Sequence, residues 1–153
     1  MLTFVVALMA APIAPTTAMS VAICDVGSVA LRDLPTINRN PGFDTYYGEL
    51  DSDHHGLLES CPELRREIPA GYPPADDEAR ARASIHVPIP GKTIRSAFIY
   101  SVRLAQISAD LKTATVEMRY SCTGLCGGSF VAHYIRTAKG WRREGAIQTT
   151  SVS

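Results

Sequence analysis

Hydrophobic and polar residues alternate most regularly in the stretch from Thr113 to Cys122. One side of this stretch carries the apolar positions Ala114, Val116, Met118, Tyr120 and Cys122, while threonine, glutamate, arginine and serine occupy the other. A period of two with one apolar side predicts a β-strand that has one buried face and one solvated face. Residues 97–107 and 129–137 also show strand patterns, and Trp141, after a Lys-Gly turn, begins a last strand.

Two segments with helical spacing precede these strands. Leu57, Cys61, Leu64 and Ile68 fall on one helical stripe, which predicts a short helix that ends before Pro69. Residues 73–84 predict a second short helix, because acidic residues fill its first turn and arginines its last. Residues 85–90 then alternate like a strand but contain two prolines, which predicts an edge strand or an extended lead-in.

Polar, turn-rich sequence covers residues 25–53, where we expect a loop with at most one short helix near residues 29–34. The combined prediction is an α+β fold, in which one or two short N-terminal helices pack on a four- to five-stranded antiparallel meander sheet. Short connections favour pairing of strands that are consecutive in sequence. We divide the chain into a signal peptide (1–22), an irregular acidic segment (23–56) and an α+β domain (57–153).

The N-terminal stretch carries no charged side chain as far as Cys24. An apolar run over residues 2–11 is followed by prolines and then by small residues, which is the layout of a secretory signal peptide with a cleavage site near residue 22. A membrane span needs about 20 mostly apolar residues, and the prolines interrupt this run sooner. The sequence therefore predicts a periplasmic or secreted protein with no stable membrane anchor after cleavage.

Charge is balanced over the whole chain but unevenly distributed along it. Residues 23–78 carry 12 acidic and 4 basic side chains, a net charge of −8, whereas residues 79–153 carry 3 acidic and 11 basic ones, a net charge of +8. Because these charges cancel within one small domain, we expect the acidic half to fold against the basic half. The zero net charge and the lack of an RNA-binding aromatic pattern argue against a nucleic-acid partner.

The chain has four cysteines, Cys24, Cys61, Cys122 and Cys126. In an exported protein they are expected to form disulfides. A hairpin loop of three residues would place Cys122 opposite Cys126 at a spacing that a disulfide can bridge, and a Cys24–Cys61 bond would close a loop of 38 residues. Four cysteines allow three connectivities, so mixed pairings stay open, as do a redox pair and a zinc site that adds His133 or His86.

No motif of a serine hydrolase, metalloprotease, phosphate-binding loop or dinucleotide-binding fold occurs, which favours a non-enzymatic protein without a cofactor. The candidate pocket residues are those that a curled sheet would gather: Tyr100, Tyr120, His133, Tyr134 and His86. Residues 51–56 place carboxylates at the spacing of a calcium loop but lack its closing glutamate, so we assign no metal site.

Residues 101–145 resemble the C-terminal region of small exported bacterial proteins of uncharacterised function. Their pattern is a strand, C-x-x-L-C-G, a second strand and a Gly-Trp pair that begins a last strand. Here Cys122, Leu125, Cys126, Gly127, Gly140 and Trp141 carry it. Helices followed by a curved antiparallel sheet also resemble the NTF2-like cone fold, although a fold by itself does not give a function.

The leading hypothesis is a non-enzymatic binding or envelope-support module that is stabilised by disulfides, with a protein or a small ligand as its unidentified partner. The NTF2-like resemblance implies an alternative, a pocket protein that acts as an enzyme or a ligand carrier through inward tyrosine, histidine and arginine side chains. A metal-binding module is the second alternative.

Overall fold

The computed structural model describes residues 15–38, 42–49 and 56–152. Its helices are α1 (Pro15–Asp33), α2 (Leu57–Ser60), α3 (Asp77–Ala83) and two 3-10 helices, Leu34–Ile37 and Pro62–Glu67. Its strands are β1 (Asp44–Tyr47), β2 (Ala97–Val102), β3 (Gln106–Ile107), β4 (Thr113–Cys122), β5 (Cys126–Thr137) and β6 (Gly140–Val152). No helix in these ranges is long and apolar enough to cross a membrane.

The strands form one sheet in the order β1-β2-β4-β5-β6, and β3 pairs with β4. The β2–β4, β4–β5 and β5–β6 pairs are antiparallel, whereas β1 runs parallel to β2. The predicted fold class, an α+β protein with helices packed on a mostly antiparallel sheet, is confirmed. The sheet has six strands because two short ones, β1 and β3, join the meander.

The apolar face of the sheet packs against helix α1. Val116 and Met118 of β4 are fully buried on this face, as their alternation with polar residues predicts. Helix α1 contributes Val26, Ala30 and Leu31, which are fully buried in the same core. Each buried valine or leucine stabilises the fold by about 1.5–3 kcal/mol, so this helix–sheet contact is a major source of stability.

Two disulfides fix two different parts of the fold, and both pairs are those that the sequence favours. One bond, Cys24–Cys61, joins helix α1 to the residue between α2 and the following 3-10 helix. The other, Cys122–Cys126, closes the β4–β5 hairpin. In each pair the Cα atoms are 5.6 Å apart. The hairpin cysteines cannot ligate zinc as thiolates in this structure, because their sulfur atoms are bonded to each other.

Several local predictions differ from the structure. Helix α1 continues to Asp33 through sequence that we expect to be a loop, because burial against the sheet outweighs the weak helix propensity of its small residues. The helix predicted over 57–68 is split at Cys61, where Pro62 begins a 3-10 helix. Residues 85–90, predicted as an edge strand or an extended lead-in, form no strand, since two prolines there cannot donate ladder hydrogen bonds, and the segment leads into β2.

Strand β1 also differs from the prediction, because it lies in a segment that lacks alternation. The Arg82 guanidinium of helix α3 donates hydrogen bonds to the Asp44 carboxylate, at 2.9 Å, and to the Tyr46 hydroxyl, at 2.7 Å. The strand therefore depends on a contact between positions 38 and 36 residues apart in sequence. A window of consecutive residues cannot reveal such a contact.

The predicted signal peptide, residues 1–22, stays a prediction. Residues 1–14 lie outside the described residues, and residues 15–22 form the first turns of α1, with Ala22 buried in the core. The calcium-like residues 51–55 also lie outside the described ranges.

Ion pairs join the acidic half of the chain to the basic half, as the charge distribution predicts. Asp44 binds both Arg82, at 2.9 Å, and Arg95, at 2.5 Å. At the C-terminal end of α1, Asp33 binds Arg143 of β6 at 3.2 Å and accepts a 3.0 Å hydrogen bond from the Tyr134 hydroxyl of β5. The partly buried Asp33 group thus ties the helix to two strands.

Replacing Asp33 by alanine should lower the free energy of unfolding by about 2 kcal/mol, because it leaves the Tyr134 hydroxyl and the Arg143 guanidinium without their partner. Urea unfolding at neutral pH measures this loss. Asp25→Ala, a change at an exposed position of the same helix, is the matched control and should stay within about 0.5 kcal/mol of the wild type. Equal losses in the two variants would contradict the role of Asp33.

The two disulfides should differ in their contribution to stability. The Cys24–Cys61 bond spans 37 positions and the hairpin bond only 4, so the first restricts the unfolded chain more. Chain entropy gives about 4 kcal/mol for the long loop and about 2 kcal/mol for the short one. Urea unfolding of the two double Cys→Ser variants tests this order, which a larger loss from the hairpin pair would overturn.

Candidate functional site

A cleft opens where strand β1 ends and the chain leaves the sheet. Beyond Tyr47, the Gly48 N–H donates a 2.9 Å hydrogen bond to the carbonyl of Tyr100, and the Ala75 N–H donates one of 2.7 Å to the carbonyl of Tyr47. A Cβ atom at Gly48 would lie 3.0 Å from the Ile99 side chain and 3.2 Å from the Arg80 guanidinium. Glycine at this position therefore lets helix α3 and its arginine approach the end of the strand.

The cleft consists of two cavities that share the side chains of Glu49 and Arg80, and we refer to it as the Glu49–Arg80 cleft. The first cavity has a volume of about 230 Å³ and is also lined by Tyr47, Leu58, Arg65, Ile68, Pro74 and Ala75. The second has a volume of about 260 Å³ and is also lined by Ala83, Ser84, His86, Ile99 and Ser121. Each cavity is smaller than the roughly 300–1,000 Å³ of a typical ligand pocket, but the two adjoin at Glu49 and Arg80 and are lined by apolar side chains and a few polar groups.

The carboxylate of the cleft is held in place. Glu49 Oε1 accepts a 2.7 Å hydrogen bond from the Leu58 N–H, in the first turn of α2. The same carboxylate lies over Gly56, in the space that a Cβ atom at that position would need. These contacts fix the Glu49 side chain on one wall of the cleft, and one of its carboxylate oxygens is occupied by the hydrogen bond from Leu58.

The arginines of the cleft are in a different situation. Arg65 and Arg80 are both exposed at the mouth of the first cavity. Within the part of the chain that the structure describes, neither guanidinium takes part in an ion pair or a hydrogen bond. Arg82, two positions further along α3, instead binds Asp44 and Tyr46. Among the described residues, the cleft thus presents two guanidinium groups that have no partner within the protein.

The residues predicted to line a pocket do not form one. Tyr100 and Tyr134 are buried in the core, and the half-buried Tyr120 lies over Gly128 of the neighbouring strand, with its ring 5.5 Å from that of Tyr100. His133 lies on the opposite face, exposed, with Nδ1 3.2 Å from the Thr115 hydroxyl.

Among these predicted residues, His86 is the one that lines the Glu49–Arg80 cleft. Its Nδ1 lies 3.1 Å from the carbonyl oxygen of Gly124, in the β4–β5 hairpin. The histidine therefore connects the second cavity to the disulfide-closed hairpin.

An aromatic cluster occupies the place of the predicted pocket. The rings of Phe98, Tyr100, Tyr120 and Phe130 follow one another across β2, β4 and β5 at centroid distances of 5.5–6.5 Å. Tyr72 meets Tyr100 edge to face at 5.5 Å. Such contacts stabilise a core beyond the area that they bury. In the described residues these aromatic side chains therefore support the fold.

Sequence reasoning missed the residues that carry the cleft: Glu49, Arg65 and Arg80. Both arginines lie in charged stretches that are typical of a solvated helix surface, and Glu49 lies in a segment interpreted as a loop. The sequence contains one indirect signal, the closely spaced Arg80 and Arg82, whose side chains leave a helix in different directions. One of the two is used by Asp44, and the other faces the cleft.

A grouping of possible metal ligands also exists in the described residues, formed by Cys24, Cys61 and Glu63. The two cysteines form a disulfide, so they do not supply thiolates. The group therefore gives no support to a metal centre in the oxidised protein.

Raising the pH from about 9 to about 11 should destabilise the protein steeply. Burial raises the pKa of Tyr47, Tyr100 and Tyr134, so these hydroxyls stay protonated in the folded protein but ionise in the unfolded chain. Their contribution to stability is complete below about pH 10 and is lost as the pH rises above it. Each of the three residues should cost about 1.4 kcal/mol over this interval.

Urea unfolding at both pH values measures the loss for the wild type and for Tyr134→Phe. The variant lacks one ionisable hydroxyl and should lose about 1.4 kcal/mol less than the wild type between the two pH values. An identical pH dependence in both proteins would show that the ionisation of Tyr134 is not linked to unfolding.

Comparison with protein-family models, curated proteins and solved structures finds no match to this chain. The resemblance to small exported bacterial proteins and to the NTF2-like cone therefore stays a prediction from the sequence. Among the described residues, the Glu49–Arg80 cleft is the feature on which a functional proposal rests.

Proposed function

We propose that this protein is an exported, disulfide-stabilised binding domain that does not catalyse a reaction and that holds an anionic group of its ligand in the Glu49–Arg80 cleft. Export is supported by the pairing of all four cysteines, which is typical of oxidising compartments. It is also supported by the apolar N-terminal run of the sequence and by the resemblance to small exported bacterial proteins.

One observation carries the binding proposal: Arg65 and Arg80 present two guanidinium groups, without ion pairs among the described residues, to a cavity with an apolar floor. A guanidinium offers a planar set of donors that fits a carboxylate or a phosphate through two parallel hydrogen bonds. Leu58 and Ile68 line the same cavity and suit an apolar part of the ligand. The cleft therefore favours a small molecule or a peptide end that carries one anionic group on an apolar body.

Glu49 restricts this choice further. Its carboxylate is fixed on the wall shared by both cavities, so a second anionic group placed there would be repelled. A ligand with a single negative charge, or one with a cationic group at a short distance from it, fits the cleft better than a polyanion does.

The two alternative functions have less support. A pocket protein that uses inward tyrosines needs an open sheet face, but this face is filled by the core, in which Tyr100 and Tyr134 are buried. A metal-binding module that uses the cysteines needs free thiolates, which the disulfides do not provide. An envelope-support role is compatible with a binding domain, since it would specify only that the binding partner belongs to the cell envelope.

Arg80→Ala should weaken the binding of simple anions in the cleft about tenfold, because a charge-assisted hydrogen bond contributes about 1.5–3 kcal/mol. The probes are acetate and inorganic phosphate, titrated at low ionic strength while the backbone amide resonances of Gly48 and Ala75 are followed by NMR. The wild type should show saturable shifts at these amides, with acetate bound at least as well as phosphate.

The matched control is Arg142→Ala, which removes an exposed arginine on β6. This variant should bind both anions like the wild type. Two results would overturn the proposal: the absence of saturable shifts in the wild type, or an equal loss in the two variants, since equal losses would indicate nonspecific attraction by the protein's charge.

A further inference from the structure

Several strands begin or end at the same end of the sheet. Strands β1 and β2 begin there, since Asp44 pairs with Ala97 in the parallel register. Strand β4 ends there and β5 begins there, at the Cys122–Cys126 pair. Strand β6 ends there as well, because Val152 pairs with Gly128. We call this the hairpin end; it comprises the β4–β5 loop, the 85–96 segment and the outer ends of β1 and β6.

Exposed apolar side chains concentrate at the hairpin end. Of the six large hydrophobic residues that are exposed in the described ranges, the following five lie there: Phe43, Val87, Ile89, Leu125 and Val152. Leu125 at the tip of the hairpin is 83 % exposed, and Val87 is 72 % exposed. Scattered exposed apolar residues need no explanation, but a group at one end of a molecule indicates a contact surface.

The apolar tips are held rigidly. The disulfide closes the hairpin, and Thr123 fastens it: its hydroxyl donates to the carbonyl of Arg82 at 2.9 Å and accepts the Ala97 N–H at 3.0 Å. Gly124 has a positive φ angle of 97°, and its N–H donates a 2.8 Å hydrogen bond to the carbonyl of Ile85. Leu125 and Val87 therefore project from two segments that are hydrogen-bonded to each other, so little conformational entropy remains to be lost on docking.

The charges at the hairpin end are predominantly positive. The 85–96 segment contains Lys92 and Arg95 and no acidic residue, and the β4–β5 loop has no charged residue. The carboxylate of Asp44 at the start of β1 is already bound by Arg82 and Arg95. The hairpin end thus combines exposed aliphatic side chains with neighbouring cationic ones. This combination complements a surface that has negative charges on its outside and an apolar layer beneath them.

We propose that the hairpin end docks reversibly on an anionic lipid surface, with Leu125 and Val87 inserted among the acyl chains and Lys92 near the headgroups. Apolar insertion and attraction to anionic lipids add in such interfacial binding. The contact needs no membrane-spanning segment, and a few aliphatic side chains give a weak and reversible association. This docking surface adjoins the Glu49–Arg80 cleft at His86, but neither proposal depends on the other.

Co-sedimentation of the full, oxidised protein with phosphatidylcholine vesicles that contain phosphatidylglycerol tests the proposal. We expect partition into these vesicles at low salt, at least tenfold less into pure phosphatidylcholine, and a decrease as salt is added. Leu125→Ser and Val87→Ser together should reduce partition at least tenfold, because each removes an inserted aliphatic side chain. Both positions are exposed, and circular dichroism verifies that the double variant stays folded.

Two variants with the same change of charge, at opposite ends of the sheet, test which end contacts the lipid. Lys92→Glu lies at the hairpin end and should reduce partition about tenfold, whereas Lys139→Glu lies in the β5–β6 turn at the opposite end of the sheet and should leave it unchanged. Three results would overturn the proposal: no partition of the wild type at low salt, equal effects of the two lysine variants, or a dimer in solution that Leu125→Ser dissociates. The last result would assign the hairpin end to a second copy of the chain.

Discussion

The packing of helix α1 on the apolar face of the sheet is the contact on which the rest of the structure depends. A sheet with alternating strands must cover its apolar face, and helix α1 supplies this cover through Val26, Ala30 and Leu31. The Cys24–Cys61 disulfide holds the helix covalently, and Asp33 holds its C-terminal end through hydrogen-bonded and ionic contacts. Because this face is filled, the proposed ligand site lies elsewhere.

The edge of the sheet provides that place. Strand β1 has only four residues and runs parallel to β2, so its end leaves space beside the longer strands. Helix α3 is fixed at this edge by Arg82, whose bond to Asp44 raises the pKa of the guanidinium and keeps it charged. One arginine of the helix is thus used to position it, and this leaves Arg80 directed at the cleft. The ion pairs between the acidic and basic halves therefore build the site as well as the fold.

The sequence was sufficient for the parts of the fold that depend on local pattern. Strand β4 begins and ends as predicted, and the hairpin disulfide follows from two cysteines flanking a three-residue loop. The sequence was insufficient for β1 and for most of α1, since both form through contacts with residues far away in the chain. The site was predicted least well. Of the predicted pocket residues, His86 lines the cleft. The arginines of the cleft were not predicted, because their charged stretches have the sequence pattern of a solvated helix surface. Whether a surface arginine is paired depends on tertiary contacts that periodicity does not contain.

The two proposed surfaces have a physical connection through His86. This residue lines the second cavity of the Glu49–Arg80 cleft, and its ring lies within hydrogen-bond distance of the Gly124 carbonyl in the hairpin. The next residue, Val87, is one of the exposed tips of the hairpin end. Docking of that end would therefore hold the cleft near the lipid headgroups, where anionic groups are concentrated. A rigid, disulfide-closed hairpin suits this arrangement, because it fixes the distance between the surface and the cleft without a flexible linker.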